Sequence, residues 1–342
     1  MNVAAPRNVL VVGGTGPSGP AIVNRFLRIG AKVTVYHSGA HEAQFDGNVE
    51  HLHGDPRDPA DIGEKLGRSE WDIAVLTSGR LRALATELAG KAGRVVGITG
   101  QPVYKGTVRP TPEGRLPLPV PETAERQHDA TNYTGRVAEG EDQLLEQHAR
   151  GDFEAVIVRY PGVYGPRGPL SHEWAVVKRV LDGRPTMILP HDGLTYFQRG
   201  YAENLGDIVF LAATVKEAAG EAFNSGDERV LSSRAVAEII ADELGHQMEF
   251  VGIPAPACRG FYPLAQKSDL ILDMSKARTL LGYHDVLGVD QATRLTARWL
   301  ADNSPTDIAP NFGGSFDYAR EDSIIAAWRG ATSLFTQPPD PA

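Results

Sequence analysis

Three evenly spaced glycines, Gly13, Gly16 and Gly19 in VVGGTGPSGPAIVNRF, are the residues best suited to do chemistry. They follow a strand-like apolar run and open a helix-like one, the context required of a dinucleotide-binding turn. Glycine permits a tight turn, lets backbone N–H groups approach a pyrophosphate, and allows close helix packing, while the helix N-terminus favours the phosphate charge. Pro17 and Ser18 lie within the same turn and belong to the candidate cofactor site. Without its flanking strand and helix, such a run would read as an ordinary βα turn.

Cofactor choice is usually reported at the end of the second strand, where a carboxylate about 20 positions after the glycines holds the ribose 2′-OH of NAD. Here the chain reads Tyr36, His37, Ser38. His37 and Ser38 would accommodate a 2′-phosphate, or they simply end the strand; the expectation is NADP or NAD, with NADP preferred. In HLHGDPRD, Asp55 is placed to hydrogen-bond an adenine edge, or to close an Asx-type turn ahead of a helix.

Such residues need a sheet to carry them. Val/Ile-rich runs at 8–12, 32–36, 72–76, 94–98 and 154–160 alternate with helical patterns, as in an α/β, Rossmann-type, doubly wound parallel sheet. A proline-rich stretch at 109–122 interrupts the alternation and reads as an active-site loop. With 342 residues, 42% of them hydrophobic, the chain is long enough for two domains or one large α/β unit.

The net charge of −9 is spread over mixed-sign segments without a Lys/Arg block, which argues against nucleic acid and favours a small-molecule substrate. One cysteine, Cys258, rules out an internal disulfide and fits a reducing, cytoplasmic setting. No apolar run reaches the length of a membrane span, so no membrane partner is expected. No metal site is read: HLH at 51–53 lacks the spacing and partners of a zinc cluster, and neither HExxH nor CxxC occurs.

The glycine turn, the GD at 54–55, the VY at 103–104, PETAERQ leading to Tyr133 and Glu141, and RYPGVYGPRG at 159–168 together resemble the extended short-chain dehydrogenase/reductase superfamily, in its NAD-dependent epimerase/dehydratase branch. Order and spacing match over residues 8 to about 285, and FNSGDE (223–228) and DMSKARTLLGY (273–283) add later landmarks. The resemblance implies a nicotinamide cofactor in a first domain and a smaller C-terminal α/β substrate-binding domain. It divides the chain into 1–165, with a return segment near 195–228, a substrate domain over 166–305, and an appended helix and tail over 306–342. It also implies Tyr160 and Pro161 at the cofactor and Tyr104, Val163, Gln198 and Arg199 near the substrate.

The family's catalytic set is a serine or threonine, a tyrosine and a lysine. The lysine lowers the tyrosine pKa and binds the nicotinamide ribose. In NYTGRVAEGE, Tyr133 is present, but the position four residues on is Val137. The expected hydroxyl position is Gly100, with Thr99 one place early. Thr99 and Arg136 are the candidates to complete the set around Tyr133. Arg136 is about 100° around the helix and Thr99 faces away by strand alternation, so each also reads as a structural residue, Arg136 the more so. Tyr104 and Tyr164 are alternative acids or packing residues, and His172 and Trp174 line a cleft or pack.

The helical pattern at 311–330 docks on its own domain, closes over a cleft, or pairs with a second subunit in a homodimer. Two functions follow. One is an NAD(P)-dependent oxidoreductase or epimerase that uses Tyr133, either reducing a carbonyl on a small molecule or acting on a nucleotide sugar. The other is a dinucleotide-binding protein with lost redox chemistry, serving as a sensor, a scaffold or a non-redox enzyme.

Overall fold

In the computed structural model the described residues are 7–77, 80–107, 116–129, 131–168, 172–258, 269–305 and 316–336; the side chains of residues 133 and 334–336 lie outside that set. The chain divides into two compact units, the first formed by 1–167, 198–228 and 270–288, the second by the remainder. The sequence reading placed 270–288 with the substrate domain. Here it joins the first unit, because Tyr283 is fully buried and its hydroxyl donates to the Gly226 carbonyl.

The first unit is built on β1 (Asn8–Val12), β2 (Lys32–His37), β3 (Glu50–His53), β4 (Trp71–Leu76), β5 (Ala92–Gly100), β6 (Glu154–Tyr160) and β10 (Ala222–Asn224). These form one parallel sheet in the order β10-β6-β5-β4-β1-β2-β3. The central strands read as continuous apolar runs because both faces are covered. Val9 and Val11 pack with Ile22 and Phe26 of α1 (Gly19–Arg28) and Ile208 and Val209 of α6 (Ala202–Thr214). Leu10 and Val12 point the other way, towards Ile62 of α2 (Pro59–Leu66), Leu84 of α3 (Leu81–Leu88) and Leu144 of α4 (Tyr133–Arg150). Strand order reverses between β1 and β4, which puts the glycine turn at the carboxyl edge where doubly wound sheets bind ligands. A short parallel pair, β7 (Gly162–Tyr164) with β9 (Arg199–Tyr201), completes the strands of this unit; α8 (Ser275–Leu281) closes one face.

In the second unit β8 (Thr186–Pro190) pairs in parallel with β11 (Glu249–Ile253). Trp174 and Val177 of α5 (Trp174–Leu181), Val236 and Ile240 of α7 (Ser233–Glu243) and Leu300 of α9 (Val289–Asp302) form its core. Trp174 is therefore a packing residue, and His172 is buried as well. The appended helix α10 (Tyr318–Thr336) docks on its own unit through Ile325, packed with Ile188 and Ile253, and through a fully buried ion pair, Glu321 with Arg179 at 3.1 Å. Among the described residues no helix is long and apolar enough to cross a membrane.

Candidate cofactor and catalytic site

The β1–α1 turn is stitched by its own backbone. Gly13 N–H donates to the Tyr36 carbonyl at 2.9 Å, Gly16 N–H to the Gly13 carbonyl at 3.0 Å, and Gly19 N–H to the Gly16 carbonyl at 3.0 Å. Gly13 has φ +78°, which only glycine adopts without strain. A Cβ on Gly19 would stand 2.1 Å from the Gly14 carbonyl oxygen, whereas one on Gly16 would meet only the Gly13 carbonyl oxygen at 3.4 Å. Gly19 is thus demanded by packing, and Gly16 leaves its outer side open.

Ser18 caps α1 without a side-chain cap bond, and its Oγ accepts from the Tyr160 hydroxyl at 3.1 Å. That bond joins the end of β6 to the turn, and burial pushes the Tyr160 phenol up. Beside the turn is a cavity of about 220 Å³, lined by Pro17, Pro20, Gln44, Pro166, Arg167 and Tyr201 among others. It opens at the positive end of α1, and Arg167 stands at its edge with φ +64°, a left-handed backbone that a non-glycine residue adopts at some cost. A glycine turn whose Gly16 leaves its outer side open, a helix N-terminus and an arginine fit the pyrophosphate of a dinucleotide. Pro161 is buried next to Tyr160.

At the end of β2 the two candidates part. His37 is 3% exposed, and its Nε2 lies 2.9 Å from Nδ1 of His51. Burial, opposed by Glu42, holds its pKa below the usual imidazole value. It therefore does not present an imidazole to a 2′-phosphate, which corrects the sequence reading. Ser38 stays exposed. Asp55 closes the Asx turn, accepting from Arg57 N–H at 2.9 Å, and its N–H donates to Asp61. Asp61 also accepts from the Tyr36 hydroxyl at 3.0 Å, so the carboxylate that organises this loop is Asp61, which the sequence reading passed over.

Helix α4, the candidate catalytic helix, begins at Tyr133. Asn132 caps it, accepting from Gly135 N–H at 2.9 Å, and a Cβ on Gly135 would fall 1.9 Å from the Asp129 carbonyl oxygen. The Tyr133 side chain lies outside the described residues. Val137 is half-buried, while Arg136 is exposed and its nearest hydrogen bond is a 3.4 Å contact to the Thr131 carbonyl. Arg136 is thus turned to solvent in this structure.

Thr99 is committed elsewhere: its hydroxyl donates to Glu141 at 2.7 Å. Glu141, fully buried, also receives Arg159 at 2.7 and 3.0 Å and Arg126 at 3.1 Å. Arg159 donates onward to the Tyr104 hydroxyl at 3.0 Å, and Tyr104 donates to Asn224. Burial pushes the Tyr104 phenol up to about 12, against the pull of the Arg159 cation. Tyr104 is 1% exposed and holds the network together, so it is no substrate contact here. Glu141 is eight residues after Tyr133 and four after Val137, on one helix face; the sequence showed the spacing without the partners, which come from β5, β6 and the 120s loop.

The remaining candidates gather around a second buried carboxylate. Asp227 accepts from the Tyr164 hydroxyl at 2.7 Å, Tyr201 N–H at 2.9 Å and Asn204 Nδ2 at 2.9 Å, yet burial still holds its pKa above the usual carboxylate value. Gln198 donates to the Asp227 carbonyl at 2.8 Å and accepts from Leu272 N–H at 3.3 Å, which spends its amide on the fold. Arg199 is buried with its guanidinium 4.4 Å above the Tyr164 ring. Neither is presented to a substrate, contrary to expectation, and Tyr164 is a packing residue. Val163 is half-buried on β7.

Comparison with known proteins now adds to this geometry. Residues 103–226 match the NAD dependent epimerase/dehydratase family. Over 87% of this chain the fold superposes on all of a UDP-glucose 4-epimerase from Thermotoga maritima, solved with UDP-glucose, at TM-score 0.69 and 18% identity. It superposes equally on 97% of a dTDP-glucose 4,6-dehydratase from Bacillus anthracis, solved with NAD, at TM-score 0.64 and 16% identity. In sequence it is 24% identical over 208 residues, 52% of this chain and 60% of the relative, to the uncharacterized protein YbjS of Escherichia coli K12. The match therefore spans less than two thirds of that relative's length. The Rossmann-type sheet and the epimerase/dehydratase resemblance read from the sequence both stand.

Proposed function

We propose that this chain is an NAD(P)-dependent oxidoreductase of the epimerase/dehydratase type that reduces a ketone or aldehyde on a small molecule, nucleotide sugars included, with Tyr133 as its proton donor. The observation that carries the reading is the backbone-stitched glycine turn at the β1–α1 switch point, open at Gly16 and tied to β6 by the bond between Ser18 and Tyr160. A nicotinamide bound there supplies or takes the hydride. Arg167 and the α1 N-terminus hold the pyrophosphate charge. With His37 turned inward, any preference for NADP over NAD rests on Ser38.

Direction of reaction follows from position 137. Valine offers no cation to stabilise a tyrosinate, so Tyr133 is better suited to give a proton near neutral pH than to take one. As hydride reaches the carbonyl carbon, the Tyr133 hydroxyl passes its proton to the oxygen, and water reprotonates the phenolate. The test is turnover of a carbonyl substrate in both directions for the parent, Tyr133→Phe and Val137→Lys. Loss of at least 10²-fold in Tyr133→Phe and faster alcohol oxidation in Val137→Lys are expected, in line with the usual worth of acid–base catalysis. Unchanged turnover in Tyr133→Phe removes the tyrosine from the mechanism.

A second reading, dinucleotide binding without redox chemistry, is favoured by the commitment of Thr99 to Glu141 and by the exposure of Arg136. Tight dinucleotide binding with no hydride transfer to any carbonyl in a broad panel would decide for it.

A further inference from the structure

At the sheet edge the end of β2, the loop after it and β3 bring together His37, Glu42, His51 and His53, with one nitrogen or oxygen from each within 4.8 Å of all the others. We infer that these four residues form a binding site for one divalent transition-metal ion of the zinc type, built from none of the glycine-turn residues and without Tyr133.

The placement follows from strand geometry. His51 and His53 are two apart on β3 and share a face. In the β2–β3 register His37 is the partner of His53, so three imidazoles project from the same side of the pair. Their rings stand edge to face, 4.7 Å between centroids for His37 and His53 and 5.1 Å for His37 and His51. Gly39, at φ +76°, turns the chain back, and Glu42 returns to 3.8 Å from Nδ1 of His51 and 3.6 Å from Nε2 of His53. The linear motif HLH had seemed to lack partners; they arrive from 14 and 9 residues upstream of His51, across the strand pair.

Two properties separate this cluster from simple packing and from an anion pocket. Bonds of about 2.0 Å in a tetrahedron put donor atoms about 3.3 Å apart. The separations of 2.9, 3.6 and 3.8 Å lie around that value and no pair of donors exceeds 4.8 Å, so shifts of about an ångström bring the four onto one ion. The carboxylate decides the sign. Glu42 beside two imidazoles repels the 2′-phosphate of a dinucleotide and completes a cation's shell. Three imidazoles with one carboxylate suit zinc, copper or nickel rather than magnesium, and four protein ligands make a closed site with no position for substrate. To hold the ion, Nε2 of His37 gives up the proton it shares with His51, and with its ring proton on Nδ1 the histidine loses the long 3.3 Å contact from Gly39 N–H.

The test is calorimetric titration of the untagged full chain, stripped with chelator, with zinc chloride and with magnesium chloride. One zinc per chain at sub-micromolar affinity, no magnesium binding, and at least a 100-fold loss of zinc affinity in the His51→Ala/His53→Ala double variant are expected. Cys258→Ser, which alters a buried thiol in the other unit, should bind zinc like the parent. Zinc binding weaker than 100 μM in the parent, unchanged affinity in the double variant, or loss in Cys258→Ser would each overturn the assignment. NADP titration of the zinc-free proteins separates the alternative: a double variant that loses NADP affinity while NAD affinity holds marks the cluster as a phosphate site and also overturns it. Should the double variant fail to fold, Glu42→Gln, at an exposed position, takes its place with a tenfold loss expected.

Discussion

Glu141 and Arg159 are a buried charge pair whose neutrality depends on every partner being present. Taking ions out of water costs several kcal/mol each, and the cost is offset only when the pair is complete. Arg159→Leu leaves Glu141 buried with Thr99 and Arg126 as its remaining donors, so a loss of about 3–5 kcal/mol is expected in urea unfolding. Arg136→Ala, at an exposed position, should change stability by less than about 0.5 kcal/mol. A cost below about 1 kcal/mol for Arg159→Leu would mean that water or a rearranged Arg126 takes over the charge. This network was only half legible in the sequence. An arginine closing the apolar run EAVIVRY and a glutamate inside the α4 pattern carry no local sign that they pair, because nothing local states that β6 and α4 face each other there. The same blindness sent Thr99 to the catalytic set and Tyr104, Gln198 and Arg199 to a substrate site, when all four are bound up with the interior.

Among the elements, the β1–α1 turn was the most legible, since strand, glycines and helix are adjacent in the chain and their requirements are local. What the sequence could not separate was why each glycine is there. Gly19 has no room for a Cβ against the Gly14 backbone, while Gly16 has room. Gly19→Ala should therefore cost about 1–3 kcal/mol of stability, the range for overpacking. Gly16→Leu should fold with near-parental stability and lose at least tenfold in affinity for NAD and NADP alike, as measured by calorimetry. If Gly16→Leu binds as the parent does, the pyrophosphate does not approach this turn. The α4 start was likewise local: Asn132 supplies the cap and Gly135 the clearance, and both stand beside Tyr133 in the chain. By contrast, the His37–His51 contact depends on β2–β3 register, and no window of sequence short enough to scan contains it.

At the scale of the whole molecule, the late motifs FNSGDE and DMSKARTLLGY close on each other within the first unit, and they bring acids together where water is scarce. Asp285 accepts from Glu228 N–H at 3.1 Å and from the Tyr283 hydroxyl at 3.0 Å, but burial and the nearby Asp227 push its carboxyl up to about 6. A carboxyl raised on folding favours the protonated native state, so its penalty is absent below the unfolded value of ~3.9 and complete above about 6. Asp129, Asp182 and Asp273 have lowered values, and the stability they contribute is lost only as pH falls below ~4, outside that window. His37, held neutral, works in the opposite direction, losing stability as pH falls below ~6.5. Asp227, also raised by burial, acts in the same direction as Asp285, so a pH profile of the parent alone mixes all three and the difference from a variant isolates one. Asp285→Asn keeps an acceptor for both donors and cannot ionise. Its melting temperature should match the parent's near pH 4 and exceed it at pH 7.5; solvent screening of a part-exposed group limits the gain to about 1 kcal/mol, or roughly 2–4 °C. A gap that stays constant from pH 4 to 7.5 in scanning calorimetry would show that Asp285 ionises normally, and that the closure of the two motifs leaves its carboxylate open to water.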